Sequence, residues 1–336
     1  MNSVRHVLPG RALAAPVWAV PVLVLLVSAA WVVDPYTLSV LARILSLGLL
    51  AVSVAILTGV AGLPTLGQVA PYAVGAYTTA LLARAGVTVG PVQLVVAALV
   101  AALFSVLVGL AVIQARGITF LMVTLAVGEL AAVAAGQWKA VTGGTDGLAG
   151  IPAAQPLWGA SPLVGDRAVY GYVLVVAVAV TVVTWLALRS PAGLLIRGCR
   201  DHEARMRASG HPVTRYLLAV YTAAGAVAGV GGALLVTSQR YVSPQDVGFE
   251  VSALVLLAVT IGGATSLGGA LAAVAVVVAV REWAAGSIPG HGPLLLGALF
   301  VVAVYLLPDG LAGLGARSRH RLDHRPGHRP GEAASS

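Results

Sequence analysis

Cysteine is nearly absent from this chain. Cys199 is the only one in 336 residues, and a lone thiol has no internal partner, so a disulfide-stapled secreted scaffold is excluded. Charge is scarce too: 10% of residues are Asp, Glu, Lys or Arg, where soluble domains carry roughly 25%. That leaves too little polar surface for a water-soluble globule, and too little net charge per residue for a disordered chain. Lysine is almost missing, Lys139 being the single example. The spacings that carry catalysis are missing as well. The chain holds no HExxH, no GxSxG and no Walker phosphate loop. Asp201-His202-Glu203 has the composition of a metal site, but adjacent helical positions point apart, and position 206 is Met where a zinc helix needs a second His. We therefore expect no enzyme, no metal and no cofactor in this chain. Any ATP it depends on is hydrolysed elsewhere.

What is present is apolar: 59% of residues are hydrophobic and the mean hydropathy is +0.94. Uninterrupted apolar runs of about 20 residues predict membrane helices, since a barrel strand needs only about 10 with polar alternation. The fold class is all-α and polytopic. Candidate spans lie near 16–33, 38–57, 64–83, 91–113, 118–137, 169–188, 216–236, 250–265, 268–284 and 291–307. That gives about ten crossings, with eight as the lower count. The net charge is +8 and the pI about 10.1. Its arginines cluster outside the spans: Arg5 and Arg11 at the start, Arg189 to Arg215 in one central loop, Arg317 to Arg329 in the tail. Starting inside, the parity of the spans puts all three clusters in the cytoplasm. The tail lacks the interleaved aromatics that stack bases, so nucleic acid is not an expected partner. The resulting organisation is a cytoplasmic tail over 1–15, a membrane domain over 16–311 with a polar loop at 189–215, and a basic tail over 312–336 that is expected to be disordered. A multi-pass membrane location with both termini inside follows.

The first span is not read as a cleaved signal: it is long, ends in Trp31 and Asp34-Pro35 without a small-residue cleavage pattern, and leads into further membrane. Two spans are interrupted. Gly62-Leu63-Pro64-Thr65-Leu66-Gly67 opens one, and Gly263-Ala264-Thr265-Ser266-Leu267-Gly268 repeats its pattern before another. Paired interrupted segments in two halves point to a translocation path, here Gly62, Thr65, Gly67, Gly263, Ser266 and Gly268; chance agreement in a glycine-rich chain is the alternative. Gly225, Gly229 and Gly232 predict close helix packing.

Ionisable groups within the spans are few. A rise of about 1.5 Å per residue places Arg43 about 8 Å and Glu129 about 12 Å below the outer boundary, which predicts an Arg43–Glu129 ion pair in preference to a proton relay. Arg281-Glu282 lies near a span end, where snorkelling suffices.

Several segments, taken together and in order, resemble the permease of branched-chain amino acid ABC importers of the LivM type. Leu57 to Leu82 looks like that family's G-x-x-G-x-x-S-L-G-H…G-A-Y stretch. Arg116-Gly117-Ile118-Thr119-Phe120 with Val123-Thr124-Leu125-Ala126 is similar to R-G-x-Y-F…T-L-A. Thr142-Gly143-Gly144-Thr145-Asp146-Gly147-Leu148 matches T-G-G-x-x-G-L. Ser190-Pro191-Ala192-Gly193, followed by Arg200-Asp201-His202-Glu203 and Gly210, resembles S-P-x-G…R-D-x-E…G. Gly262-Gly263…Leu267-Gly268-Gly269 and Pro308-Asp309-Gly310-Leu311 echo the last blocks. Thr65, Gln68 and Pro71 depart from the family's Ser, His and Phe, and Arg205-Met206 replaces a small pair.

The resemblance implies a heteromeric importer: this chain, a sister permease, two ATP-binding subunits that carry ATP and magnesium, an external solute-binding protein, and a branched-chain or related hydrophobic amino acid as cargo. Related permeases handle urea or short amides. It further implies that Arg200, Asp201, Glu203 and Gly210 couple to the ATPase, and that Thr142, Gly143, Gly144 and Asp146 lie where the binding protein docks. From the residues alone, an ion-coupled secondary transporter, for which Glu129 would be the best support, and a non-transporting scaffold stay open.

Overall fold

A computed structural model describes residues 19–264, 266–287 and 297. Its elements are α1 (Ala19–Val32), α2 (Pro35–Ala55) continued by a π-helix (Ile56–Ala61), α3 (Val69–Arg84), α4 (Gly90–Val112), α5 (Gly117–Gln137), α6 (Lys139–Thr142), α7 (Asp166–Arg189), α8 (Pro191–Asp201), α9 (Glu203–Ala208), α10 (Val213–Gln239), α11 (Phe249–Gly262) and α12 (Leu267–Ser287), with 3-10 turns at Gly144–Asp146 and Pro244–Val247. No strand ladder occurs among the described residues. An apolar solvent leaves the backbone no external partner, so each run closes its hydrogen bonds within its own helix. Proline opens α2, α4 and α8 in the first turn, where its missing N–H costs nothing.

Six helices among the described residues are long and apolar enough to cross a membrane: Pro35–Ala61, Gly90–Val112, Gly117–Gln137, Asp166–Arg189, Val213–Gln239 and Pro244–Gly262. The expected count of about ten is therefore not reached within them. Helices α1, α3 and α12 occupy the predicted spans at 16–33, 64–83 and 268–284, and the span at 291–307 lies, but for residue 297, outside the described residues, as do the 1–15 and 312–336 tails. The interrupted spans are shorter than expected. Helix α3 starts only at Val69 because 62–68 is unwound, and α11 stops at Gly262.

Helix α10 is the hub, packed on α2, α3 and α4. Its membrane window and that of α2 are 72% buried, whereas α5 is 22% buried and α4 and α7 are 28% buried. The hub depends on its glycines. A Cβ on Gly232 would stand 2.0 Å from the Tyr72 carbonyl oxygen, and one on Gly229 2.4 Å from Ala101 Cβ, so α3 and α4 seat directly on the α10 backbone.

The predicted Arg43–Glu129 pair does not form. Arg43 instead reaches Glu282 Oε1 at 3.7 Å and Asp246 Oδ1 at 4.0 Å. Depth arithmetic put both groups at compatible levels but says nothing about which helices adjoin. Helix α2 packs on α7, α10, α11 and α12, while α5 packs on α3, α4 and α11. The turn Pro244–Val247 brings Asp246 to Arg43, and Glu282 arrives on α12 with Tyr36 Oη donating to its Oε2 at 3.3 Å.

Candidate functional site

The polar loop at 189–215 is two helices at right places for a handle. Ser190 is extended, Pro191 starts α8, and Gly210 with φ +81 ends the segment before His211-Pro212 leads into α10. Helix α8 faces inward through Gly193 and Cys199, whereas α9 has no buried residue. Burial first, and the Glu203 charge second, push the Cys199 thiol up from its ordinary range, so it is a packing residue. Met206, which departs from the family's small pair, folds back on Gly198, and Arg205 stays exposed.

Arg197 of α8 donates to the Leu188 carbonyl of α7 at 2.8 Å, and two further contacts tie this handle to membrane helices distant in the chain. Arg116, at the start of α5, donates Nε to Glu203 Oε2 at 3.1 Å and Nη2 to Oε1 at 3.0 Å, while Arg207 Nη2 donates to Oε1 at 2.7 Å. The Arg116 hydrogen bond comes first among the causes that hold the Glu203 carboxyl down at about 2, against opposing desolvation. Arg116 also donates to the Ile113 and Ala115 carbonyls at the end of α4. An open cleft of about 430 Å³ lies beside these groups, lined by Ile113, Gln114, Arg116, Glu203, Arg207 and Thr214. The second contact is Arg200, which donates to the Gly59 carbonyl inside the π-helix. Its aliphatic stem lies under Gly62, where a Cβ would meet Arg200 Cγ at 2.8 Å and where φ is +72. Asp201 and Gly210 are exposed.

From Gly62 the chain runs unwound to Gln68. Thr65, fully buried, accepts from the Gly67 N–H at 3.0 Å, and the Leu66 N–H reaches Thr124 Oγ1 of α5 at 3.4 Å. Gln68 Oε1 accepts from Ser53 Oγ at 2.8 Å, while its amide nitrogen has no hydrogen-bond partner among the described residues. The Leu66 carbonyl accepts from Ser252 Oγ of α11 at 2.5 Å. Thr65, Gln68 and Ser252 line a gap too narrow to admit a water molecule. The second interrupted segment behaves differently. Gly263 with φ +86, Ser266 and Gly268 make a tight α11–α12 turn, with Ser266 Oγ accepting from the Gly269 N–H at 3.1 Å. The structure thus brings Ser252, rather than Gly263, Ser266 or Gly268, to the first segment by hydrogen bond.

At the other end, Thr142 Oγ1 donates to the Ala135 and Trp138 carbonyls at 2.5 and 2.8 Å, and Gly143 and Gly144 take positive φ. Leu148 pairs with Val242, and Tyr241 Oη donates to the Asp146 carbonyl at 3.0 Å. The Asp146 side chain is left exposed on a braced surface.

Arg116, Ser252 and Asp246 escaped the sequence reading as site residues. Arg116 stood inside a quoted motif; nothing in the sequence pairs it with a residue 87 positions away. Ser252 and Asp246 carry no spacing signal.

Residues 36–304 match the family described as branched-chain amino acid transport system / permease component. The chain belongs to this family. The permease is 31% identical over 301 residues to the high-affinity branched-chain amino acid transport system permease protein LivM of Salmonella typhimurium, and 32% identical to the protein of the same name from Escherichia coli, in both cases over 83% of this chain and 69% of the relative. No solved structure matches it. It is a multi-pass membrane protein and the permease subunit of an ABC importer, and such a subunit works with the other components of its system. The reading as an ion-coupled secondary transporter is not favoured.

Proposed function

We propose that this permease carries branched-chain or related hydrophobic amino acids inward, driven by two separate ATP-binding subunits that dock on α8 and α9 from the cytoplasm. A sister permease completes the membrane unit, and an external solute-binding protein delivers cargo to the surface at Thr142, Gly143, Gly144 and Asp146. Both termini lie in the cytoplasm. ATP and magnesium belong to the partner subunits.

The observation that carries this reading is the double tether of the exposed handle. A partner that moves α9 pulls Glu203, and through Arg116 it pulls the α4–α5 junction. A partner that moves α8 pulls Arg200, and through it the π-helix that opens into the unwound segment 62–68. Short helices held in a partner's groove and hinged at both ends transmit such motion, and irregular backbone at membrane depth is where a polar cargo finds partners. Gln68, with its free amide nitrogen, and Thr65 are the donors and acceptors available there.

The test is uptake into proteoliposomes holding the complete importer. Leucine uptake that requires both ATP and the binding protein, and that excess urea or acetamide does not inhibit, supports the reading. Uptake by this chain alone, driven by an ion gradient and indifferent to ATP, overturns it.

A further inference from the structure

We propose that the outward face of α5 around Glu129 is the surface on which this chain meets the second permease subunit, and that Glu129 looks into a hydrated seam between them. The proposal rests on the reading above that the importer contains a pair of permeases.

Helix α5 spans Gly117–Gln137, so Glu129 sits about 12 Å from its outer end and about 18 Å from its inner end at 1.5 Å per residue. A glutamate side chain does not reach the interface from there. Glu129 makes no hydrogen bond or ion pair among the described residues, since the arginine nearest in depth, Arg43, is engaged by Asp246 and Glu282. Only Phe120, Thr124, Gly128 and Ala135 of α5 are buried, a single stripe that lies on the unwound segment through Gly67, Leu66 and Val69. Met122 and Val133, seven before and four after Glu129, share its face and are 61% and 51% exposed.

Helix α4 offers the contrast. Its outward residues Val95, Leu99, Leu103, Leu107 and Leu110 are all more than half exposed and form an unbroken apolar stripe, which suits acyl chains. The α5 face interrupts such a stripe with a carboxylate at depth. Intramembrane carboxylates face protein or water, because acyl chains offer neither a cation nor a hydrogen-bond donor. The occupant that fits is therefore a partner helix bundle that supplies donors or keeps water at Glu129. Two copies of this chain related by a two-fold would place like charges opposite each other, so the charge favours a distinct permease with donors on its facing helix. Because the opposite stripe of α5 holds the unwound segment, the seam lies beside the candidate path.

The experiment uses the assembled importer in proteoliposomes, with ATP-dependent leucine uptake measured on the same preparations. A benzoylphenylalanine photoprobe replaces Met122, Val133 or, as the lipid-facing comparison, Leu103. In parallel, Glu129→Cys and Leu103→Cys are treated with a charged methanethiosulfonate, and the wild type, whose only thiol is the buried Cys199, gives the blank. The expected result is a photo-adduct with the second permease from positions 122 and 133 but not 103, with Glu129→Cys reacting at least about tenfold faster than Leu103→Cys. Adducts with lipid only, or within the same chain, overturn the proposal, as does equal unreactivity of the two cysteines. If the wild type imports leucine with ATP while the adducts fail, only the seam falls. If adducts form in a complex without ATP-dependent uptake, the seam stands and the functional reading falls.

Discussion

Arg116 and Glu203 lie 87 positions apart in the chain, yet the guanidinium of one grips both carboxylate oxygens of the other, at 3.0 and 3.1 Å. The grip joins the cytoplasmic handle to the α4–α5 junction, and a two-pronged charged hydrogen bond fixes orientation as well as distance. Reversing the charge with Glu203→Lys sets like charges against Arg116 and Arg207. We expect ATP hydrolysis to lose its response to loaded binding protein, and leucine uptake to fall by about tenfold or more, with membrane insertion retained. The double variant Arg116→Glu, Glu203→Arg should recover part of the uptake. Wild-type stimulation in Glu203→Lys, measured as phosphate release in proteoliposomes, removes the coupling role.

The same contact sets an acid dependence. The Glu203 carboxyl is held at about 2 in the folded protein against 4.5 for the free group, chiefly by the Arg116 hydrogen bond, with Arg207 assisting. A carboxyl depressed on folding stabilises the fold above its unfolded value, and that contribution fades as pH falls from about 4.5 towards about 2. The melting-temperature gap between wild type and Glu203→Gln should therefore be constant from pH 8 to about 5.5 and shrink below about 4.5. Differential scanning fluorimetry in detergent follows it. A gap that widens with acid contradicts the assignment.

Sequence and structure agree where lipid dictates the outcome and part where tertiary contacts do. Apolar runs located nine helices to within a few residues among those described, since a membrane solvent leaves a helix as the one way to close the backbone. The polar loop at 189–215 was legible from its arginines, and within it Pro191 and Gly210 set the ends of the handle because both act on φ and ψ locally. Arg43 shows the limit of such reading. Its depth was legible, but its partners came from Pro244–Val247 and α12, which fold back on α2 through packing that no periodicity encodes. Likewise, the echo between Gly62–Gly67 and Gly263–Gly268 was visible as a pattern. That one copy is an unwound, partly buried segment and the other a tight helix turn depends on what surrounds each: Thr124 and Ser252 for the first, the α11–α12 hairpin for the second.

Gly62 combines two constraints, a positive φ of +72 and a Cβ position 2.8 Å from Arg200 Cγ. An alanine there pays about 1 kcal/mol for the left-handed backbone, and Arg200 must shift off the π-helix carbonyl it holds. Gly62→Ala should thus lower the melting temperature by a few degrees while cutting transport far more, by about tenfold at retained ATP hydrolysis. Arg200→Met removes the tether without straining the backbone, so it should reproduce the transport loss with less destabilisation. Counting leucine imported per ATP hydrolysed in both variants separates coupling from stability. If the two lose transport only in proportion to folded protein, Arg200 is a packing residue and no more.

Gly232 tests the hub rather than the handle. Its Cβ position lies 2.0 Å from the Tyr72 carbonyl oxygen and 2.8 Å from the Ala76 nitrogen, both backbone atoms of α3, so no side chain can swing aside to admit a methyl group. Helices α3 and α10 would have to separate, and overpacking of this kind costs about 1–3 kcal/mol. Gly232→Ala should lower the yield of folded permease and its melting temperature, with the surviving protein showing an unchanged ratio of leucine to ATP. Gly268→Ala is the matched comparison, because nothing lies within 4 Å of its Cβ position and α12 gains helix propensity. Equal losses in the two would mean that α10 does not depend on backbone contact with α3, and the hub would have to be held by its larger side chains instead.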